Sequence, residues 1–373
     1  MTGRLAGRVE AWVVTAPGLE EITAAELKRL DVRVARVGRG GLSCAMTPAQ
    51  VVNANLRLRT ATRVQLRAAR FRASGERDLA RGLRAVDWSP YLDTGRSIHV
   101  NVSSTGSRLY HTGLIHEVAA KVLADAGHAV VTRDVDSAGG SNSDAASVSI
   151  RLARDNVTVS IDSSGEPLFR RGARTATGEA PLRETVAAAL VLWSGWDGKG
   201  VLRDPCCGAG TIAIEAAQWA MRVAPGARRA FAFEHWPSID ADLVAKLRRA
   251  AEADRRPGRG VRIEASDVDA EVLRAARENA ERAGVADRIE FAERDVRRPA
   301  AGAADLVVAN PSYGVRSRAD LPAVYRAVAD DGPRSVLVVP DHDRVDLWIG
   351  RPAGRRLALE DGGLAVCFRD SAP

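Results

Sequence analysis

Two short stretches carry residue types whose spacing could do chemistry. Asp204-Pro205-Cys206-Cys207-Gly208-Ala209-Gly210-Thr211 follows the apolar pair Val201-Leu202 and opens an apolar helical run from Thr211 to Ala220. About a hundred residues later, Asn310-Pro311-Ser312-Tyr313 follows Leu306-Val307-Val308-Ala309. A glycine turn between strand and helix lets a bound molecule approach the backbone. The Asn310 side-chain oxygen and the Pro311 carbonyl are two acceptors that could bind both hydrogens of a planar exocyclic amine. Such an amine is a weak nucleophile because its lone pair is delocalised into the ring. Acceptors that turn it toward a methyl carbon act by orientation and electrostatics, with no strong base needed at the start. Tyr313 offers a ring for stacking on a flipped-out base. The expected chemistry is methyl transfer to a base amine.

The elements that must position these residues alternate as strands and helices from Phe169-Arg170-Arg171-Gly172 onward, the signature of a mainly parallel sheet. Strands are expected at 201–202, 261–265, 288–291, 306–309, 336–339 and 364–368, with helices at 182–192 and 271–283. Residues 230–260 form an insertion. Ligands of open parallel sheets bind beyond the carboxyl ends of the strands, at the switch point. Asp204, Gly208, Gly210, Asp267, Asp295 and Asn310 all fall at or just after such ends. Asp204 suits a ligand ammonium, Asp267 ribose hydroxyls and Asp295 an adenine amino group. A ligand with those three parts is S-adenosylmethionine (SAM). Gly208-Ala209-Gly210-Thr211-Ile212-Ala213 also fits the dinucleotide pattern G-x-G-x-x-A. That fold expects its acidic residue about 20 positions on, whereas Asp267 comes 57 after Gly210. A carboxylate at Asp204 would also repel a pyrophosphate.

The first 165 residues read as small α+β units. Trp12-Val13-Val14 is a strand, Pro17-Gly18 opens a helix, and Val32 to Val37 is a strand closed by Gly38-Arg39-Gly40-Gly41. Thr47-Pro48 caps a second helix, whose apolar positions Val51, Val52, Leu56 and Leu58 are interleaved with Arg57, Arg59 and Arg63. A third unit is expected to begin near Phe71, with a strand at 98–102 and a helix at 114–126. The stretch 137–143 reads as a loop, and strands at 148–152 and 157–161 pair across an Asp155-Asn156 turn.

The 373 residues carry a formal net charge of +7 with 46% hydrophobic residues, enough for two or three cored domains. No apolar run is long enough to span a bilayer, so no membrane partner is expected. The N-terminus lacks an apolar signal core, and a cytoplasmic monomer is expected. Cys44, Cys206, Cys207 and Cys367 show no C-x-x-C spacing and the six histidines are scattered, so no metal site is expected. From Arg33 to Arg84 there are twelve arginines and only two acids, Glu76 and Asp78. Arg57, Arg59, Arg63, Arg67, Arg70, Arg72 and Arg84 are therefore candidate contacts to RNA phosphates.

At this point the chain resembles the THUMP-containing class I RNA guanine-N2 methyltransferases. That family includes tRNA enzymes and the N-terminal half of a 23S rRNA enzyme. The carrying motifs are Thr15-Ala16-Pro17-Gly18-Leu19-Glu20, Arg170-Arg171-Gly172, Ala180-Pro181-Leu182-Arg183-Glu184-Thr185 and Ser194-Gly195-Trp196-Asp197-Gly198-Lys199-Gly200. Asp204 to Thr211, Ser266-Asp267-Val268-Asp269 and Asn310-Pro311-Ser312-Tyr313-Gly314 complete the set. The resemblance implies a ferredoxin-like domain over 1–68, a THUMP RNA-binding domain over 69–165 and a Rossmann-like α/β methyltransferase domain over 166–373. By motif match it puts Pro181, Leu182, Glu184, Cys206, Thr211 and Val268 beside the cofactor, and Asn310, Pro311 and Tyr313 on the base. Two departures stand out: Ser312 replaces a usual proline, and Cys-Cys-Gly-Ala-Gly replaces Met-Cys-Gly-Ser-Gly. The expected activity is SAM-dependent methylation of guanine N2, with tRNA as first choice of partner and 23S rRNA as second. Adenine N6 and a catalytically weak RNA-binding module are the alternatives.

Overall fold

The computed structural model describes residues 5, 7–93, 95–131, 145–172, 182–258, 260–311, 321–341 and 344–371. Its first half is built on one seven-stranded sheet of order β2-β3-β1-β4-β7-β6-β5. The strands are β1 (Val9–Thr15), β2 (Val34–Gly38), β3 (Gly41–Met46), β4 (Ala61–Arg72), β5 (Ile98–Thr105), β6 (Ala146–Ala153) and β7 (Asn156–Asp162). The helices between them are α1 (Glu20–Arg29), α2 (Pro48–Arg57), α3 (Glu76–Arg84) and α4 (Thr112–Asp125). The Thr47 hydroxyl and the Gln50 side chain form a reciprocal capping box that starts α2, with Pro48 in the first turn. Along β1, Ala11, Val13 and Thr15 are buried while Glu10, Trp12 and Val14 are only half-buried, so one face of the sheet carries the core.

Several expectations change here. The glycines at 38–41 do not end a strand; they turn it back into β3, with register Gly38 to Gly41. Of the three arginines assigned to the second helix, only Arg57 belongs to α2, and Arg63 lies in β4. The β6–β7 turn is Arg154-Asp155, at φ 51° and 61°, one residue earlier than expected. Two left-handed residues are what a tight hairpin turn requires. Residues 68 and 69 are both inside β4, which pairs with β1 on one side and β7 on the other. The two N-terminal units therefore share a strand instead of meeting at a linker. The 137–143 stretch lies outside the described residues.

The second half holds α5 (Glu184–Ser194), β8 (Val201–Asp204), α6 (Thr211–Ala220), α7 (Ala241–Ala253), β9 (Arg262–Asp267), α8 (Ala270–Ala283), β10 (Ile289–Glu293) and β11 (Leu306–Ala309). It ends with α9 (Leu321–Asp330), β12 (Ser335–Pro340), α10 (Arg344–Ile349), β13 (Arg355–Asp361) and β14 (Leu364–Asp370). The sheet order is β10-β9-β8-β11-β12-β14-β13. The first five strands run parallel, and β14 is antiparallel to both neighbours. All four residues of β11 are buried, as a strand covered by helices on both faces requires.

The halves interlock. Phe231, Phe233, Trp236, Ile239, Val244 and Ala251, from the expected insertion, are buried in the core of the N-terminal sheet. Arg57 at the end of α2 pairs with Asp254 at 2.6 Å. Gly18 (φ +97°) presses on β13, where a Cβ would run into the Ala358 carbonyl. Deeper in, Arg59 and Arg171 both reach the Glu215 carboxylate of α6, at 3.4 and 3.1 Å. Arg59 also donates to the carbonyls of Gln218 and Val223, and Arg171 to those of Leu168 and Arg59. All three charged side chains are buried.

Candidate active site

The second sheet reverses its winding between β8 and β11, because the chain goes outward through β9 and β10 before crossing to β11. The register pairs Val307 with Arg203. Asp204 lies one residue beyond that pair on β8, and Asn310 three beyond it on β11. On the other flank Asp204 pairs with Ala265, which leaves Asp267 two residues further along β9. The structure thus brings Asp204, Asp267 and Asn310 to adjacent strand tips at the crevice where such sheets bind ligands.

The glycine turn is held from three sides. The Cys207 amide donates to the Ser266 carbonyl at 2.9 Å, and the Gly208 amide donates to Asp267 Oδ2 at 2.9 Å. Asn279 of α8 donates to the Ala209 carbonyl at 3.1 Å. Both glycines have positive φ, 52° at Gly208 and 83° at Gly210, which favours glycine. Their surroundings differ. A Cβ on Gly208 would meet nothing within 4 Å, whereas one on Gly210 would lie 3.2 Å from the Ala276 Cβ. Gly208 faces open space that a ligand can fill, and Gly210 permits the close approach of α8. Thr211 is the first residue of α6.

Asp204 is fully buried, and neither carboxylate oxygen has a hydrogen-bond partner among the described residues. Burial pushes its carboxyl well above the ordinary carboxylate range; the nearby Cys206 backbone amide opposes this, and the Asp267 charge adds to it. An unpaired buried carboxylate is costly unless a cation or a proton joins it. The position therefore suits a ligand ammonium. The Cys206 thiol is likewise pushed up by burial, then by Asp204, and stays a neutral lining group. Val268, just past Asp267, is 68% exposed and offers an apolar surface at the same edge. Glu184 lines a cavity of ≈ 30 Å³ together with Ala209 and Thr211, so the start of α5 does reach the glycine turn. Leu182 is buried just before it. Pro311 is buried directly after Asn310. Pro181 and Tyr313 lie outside the described residues.

Asp295 has a different occupation from the one expected. Arg297 engages both its oxygens, at 2.6–3.1 Å, and holds its carboxyl down at about 2. It closes a turn after β10 instead of presenting a free acceptor. The arginine set also divides. Arg59 is internal, and Arg63 is tied to the buried Asp162. Arg57 is committed to Asp254, while Arg84 makes only a loose contact with Asp125 at 3.8 Å. Arg67, Arg70 and Arg72 remain on β4, Arg70 beside Glu10 and Arg72 exposed. Charge counting overlooked Asn279 and Glu215, which fix the turn and its helix; nothing in their spacing marks them.

The strand order and the glycine turn at the reversal point define a Rossmann-like methyltransferase domain. Residues 171–331 match the family described as "RMKL-like, methyltransferase domain", and residues 10–65 match the "RlmL ferredoxin-like domain". The chain is 33% identical over 311 residues to "Putative RNA methyltransferase YpsC" of Bacillus subtilis, covering 82% of this chain and 79% of that protein. It is 34% identical over 369 residues to "Ribosomal RNA large subunit methyltransferase K/L" of Vibrio cholerae, covering 94% of this chain and 51% of that one. It thus spans about half the length of the K/L protein it matches. The crystal structure of SMU.472 complexed with S-adenosylhomocysteine (SAH) superposes with a TM-score of 0.87 at 28% identity, over 98% of both chains. This chain belongs to the RMKL-like methyltransferase family.

Proposed function

We propose that the chain is a SAM-dependent RNA methyltransferase acting on the exocyclic N2 of a guanine in large-subunit ribosomal RNA. The observation that carries the reading is the buried, unpartnered Asp204 carboxylate beneath an open Gly208, one strand away from Asn310. Asp204 would take the ammonium of SAM, Asp267 its ribose and Val268 the adenine face, with Cys206, Thr211, Leu182 and Glu184 lining the site. Bound there, SAM would supply an electrophilic methyl group, its sulfur keeping the electron pair of the broken S–C bond as it leaves as SAH. The Asn310 oxygen and the Pro311 carbonyl accept the two amine hydrogens and turn the nitrogen lone pair toward that methyl. The nitrogen gives up one proton as the new N–C bond forms, and water carries it away. Tyr313, two residues past Pro311, would stack on the base. The name of the Vibrio cholerae relative supports ribosomal RNA over the tRNA of the sequence reading. Residues 69–165 serve in this reading as the THUMP-like unit that holds the RNA.

The test is transfer of labelled methyl from SAM to 23S rRNA, large ribosomal subunits and tRNA in parallel, followed by digestion to nucleosides. N2-methylguanosine from the ribosomal samples is expected. Label in tRNA alone, or in N6-methyladenosine, overturns the substrate, and tight NAD binding without SAM binding overturns the cofactor.

Asp204 gives a second test. Its folded-state pKa is raised, so the folded protein keeps a proton that the unfolded chain releases. By linkage, that costs stability progressively as pH rises above the unfolded carboxyl value of about 3.9. Asp204→Asn is therefore expected to raise the melting temperature of the ligand-free protein at neutral pH. The same change should weaken SAH binding by about 1.5–3 kcal/mol, the range for a hydrogen bond to a charged group. Calorimetric titration and melting on the same samples read both effects, and a lower melting temperature with unchanged affinity would contradict the assignment.

A further inference from the structure

Away from the crevice, the face of the first sheet opposite its buried core carries a cavity of ≈ 290 Å³. Neither Asp204 nor Asn310 lines it. Its walls include Glu10, Trp12, Arg36, Arg67, Arg70 and Arg151. The strand register explains why these meet. Arg36 pairs with Ser43, Ser43 with Trp12, and Trp12 with Gln65, which makes one row across four strands. Arg70 and Arg151 both pair with Thr158, which makes a second row. Residues directly opposite on neighbouring strands share a face. Trp12 packs close against the β2–β3 hairpin, where a Cβ on Gly41 would come within 2.6 Å of its ring. The Arg67 guanidinium sits over the same ring, 5.3 Å from its centroid.

The charges on this face do not balance. Four arginines line the cavity against one carboxylate, Glu10, which Arg70 already holds. Arg36 and Arg151 are exposed and have no carboxylate partner among the described residues. Arg67 donates to Ser160 Oγ at 2.8 Å, but its Nε is buried with no partner. Burial and the neighbouring Arg70 and Arg151 charges all pull its guanidinium below the usual arginine value. Arginines crowded on a flat face, with donors left over, are arranged for an external anion of planar or tetrahedral oxygens. The cavity volume is about ten times the share of one liquid water, roughly 30 Å³, so more than an isolated ion fits.

We propose that this face, centred on Arg67 and Arg151 beside Trp12, is a binding site for the phosphodiester backbone of single-stranded RNA, separate from the base pocket. It rests on the RNA reading above and gives the substrate a second hold on the chain. A backbone segment lying across Arg36, Arg67 and Arg151 replaces the missing counter-charge and leaves the target base free to reach Asn310.

The experiment measures binding of a labelled, mixed-sequence RNA dodecamer to the full chain over a salt series. Arg67→Gln/Arg151→Gln is expected to bind about tenfold or more weakly at low salt. Its slope of log affinity against log salt should fall by about 1.4, at roughly 0.7 per single-strand phosphate contact. Glu10→Gln removes the one opposing charge and is expected to bind the RNA more tightly, a gain that loss of folding cannot mimic. Arg249→Gln, exposed on α7 and outside the cavity, should change affinity less than twofold. Equal affinity and slope for the double variant and the unaltered protein would overturn the site, as would an equal loss from Arg249→Gln. AMP binding as tightly as the dodecamer would show a small-anion site and also overturn it. If the unaltered protein methylates ribosomal RNA while the double variant binds normally, only this surface falls. If it neither binds nor methylates RNA, the functional reading falls as well.

Discussion

Asn310→Ala is expected to lower kcat by about 10²–10³-fold, the cost of removing one preorganised polar group from a site of this kind. SAH affinity should stay within a few-fold of the unaltered protein. The split follows from position. Asn310 stands at the tip of β11, whereas the proposed ammonium and ribose contacts, Asp204 and Asp267, stand on β8 and β9. In the proposed site its side-chain oxygen acts on the amine that receives the methyl group, so its removal would disorder the nucleophile and leave the donor pocket in place. Single-turnover methylation with calorimetric SAH titration separates the two. A loss of SAH affinity as large as the loss of rate would move Asn310 from the reacting end to the donor pocket.

Truncating Glu215 to alanine is expected to destabilise the protein by about 3–5 kcal/mol, the usual consequence of leaving buried charges without their partner. Two guanidinium groups depend on this one carboxylate, Arg59 from the N-terminal half and Arg171 from the start of the second half. Burial pulls Arg59 down, and Glu215 is the largest influence holding it up. For a protein of this size the loss corresponds to a fall in melting temperature of about 4–6 °C. Glu215→Gln keeps acceptor oxygen and volume and should lose less. Since α6 starts at the glycine turn, the alanine variant should also bind SAH more weakly. Scanning calorimetry with and without SAH reads both effects, and an unchanged melting temperature would show that the cluster holds nothing together.

How far the sequence carried this picture depended on what each signal measures. The tip at Asn310 was legible because it directly follows the apolar run Leu306 to Ala309, the mark a buried parallel strand leaves, while Asp204 and Asp267 close strands whose apolar residues are interrupted by Arg203 and by Arg262 and Glu264. The glycine turn was legible for the same reason, though its two glycines looked equivalent until Ala276 separated their roles. β3 was missed because Gly41-Leu42-Ser43-Cys44-Ala45-Met46 begins in a glycine cluster that reads as a stop. β13 was missed because its exposed edge mixes charged and apolar residues without clear alternation. The arginine set shows a different limit. A count of charges cannot reveal that Arg59 has Glu215 as its partner, 156 positions away. Arg67 and Arg70 stayed on an open face, but Trp12, Arg36 and Arg151 join them only through pairing across strands distant in sequence. Asp295 shows that a carboxylate after a strand end serves equally well as a turn closure, here to Arg297.

The continuity of β4 has a practical consequence for anyone dividing this protein. A fragment beginning at residue 69 would start in mid-strand and bare a row of unpaired amides and carbonyls, inviting edge-to-edge aggregation. The Phe231–Ala251 segment fills the core beneath that same sheet, so a cut near 165 would strip it of a wall. The chain should therefore melt in one cooperative step, and limited proteolysis should nick its loops without releasing a folded piece.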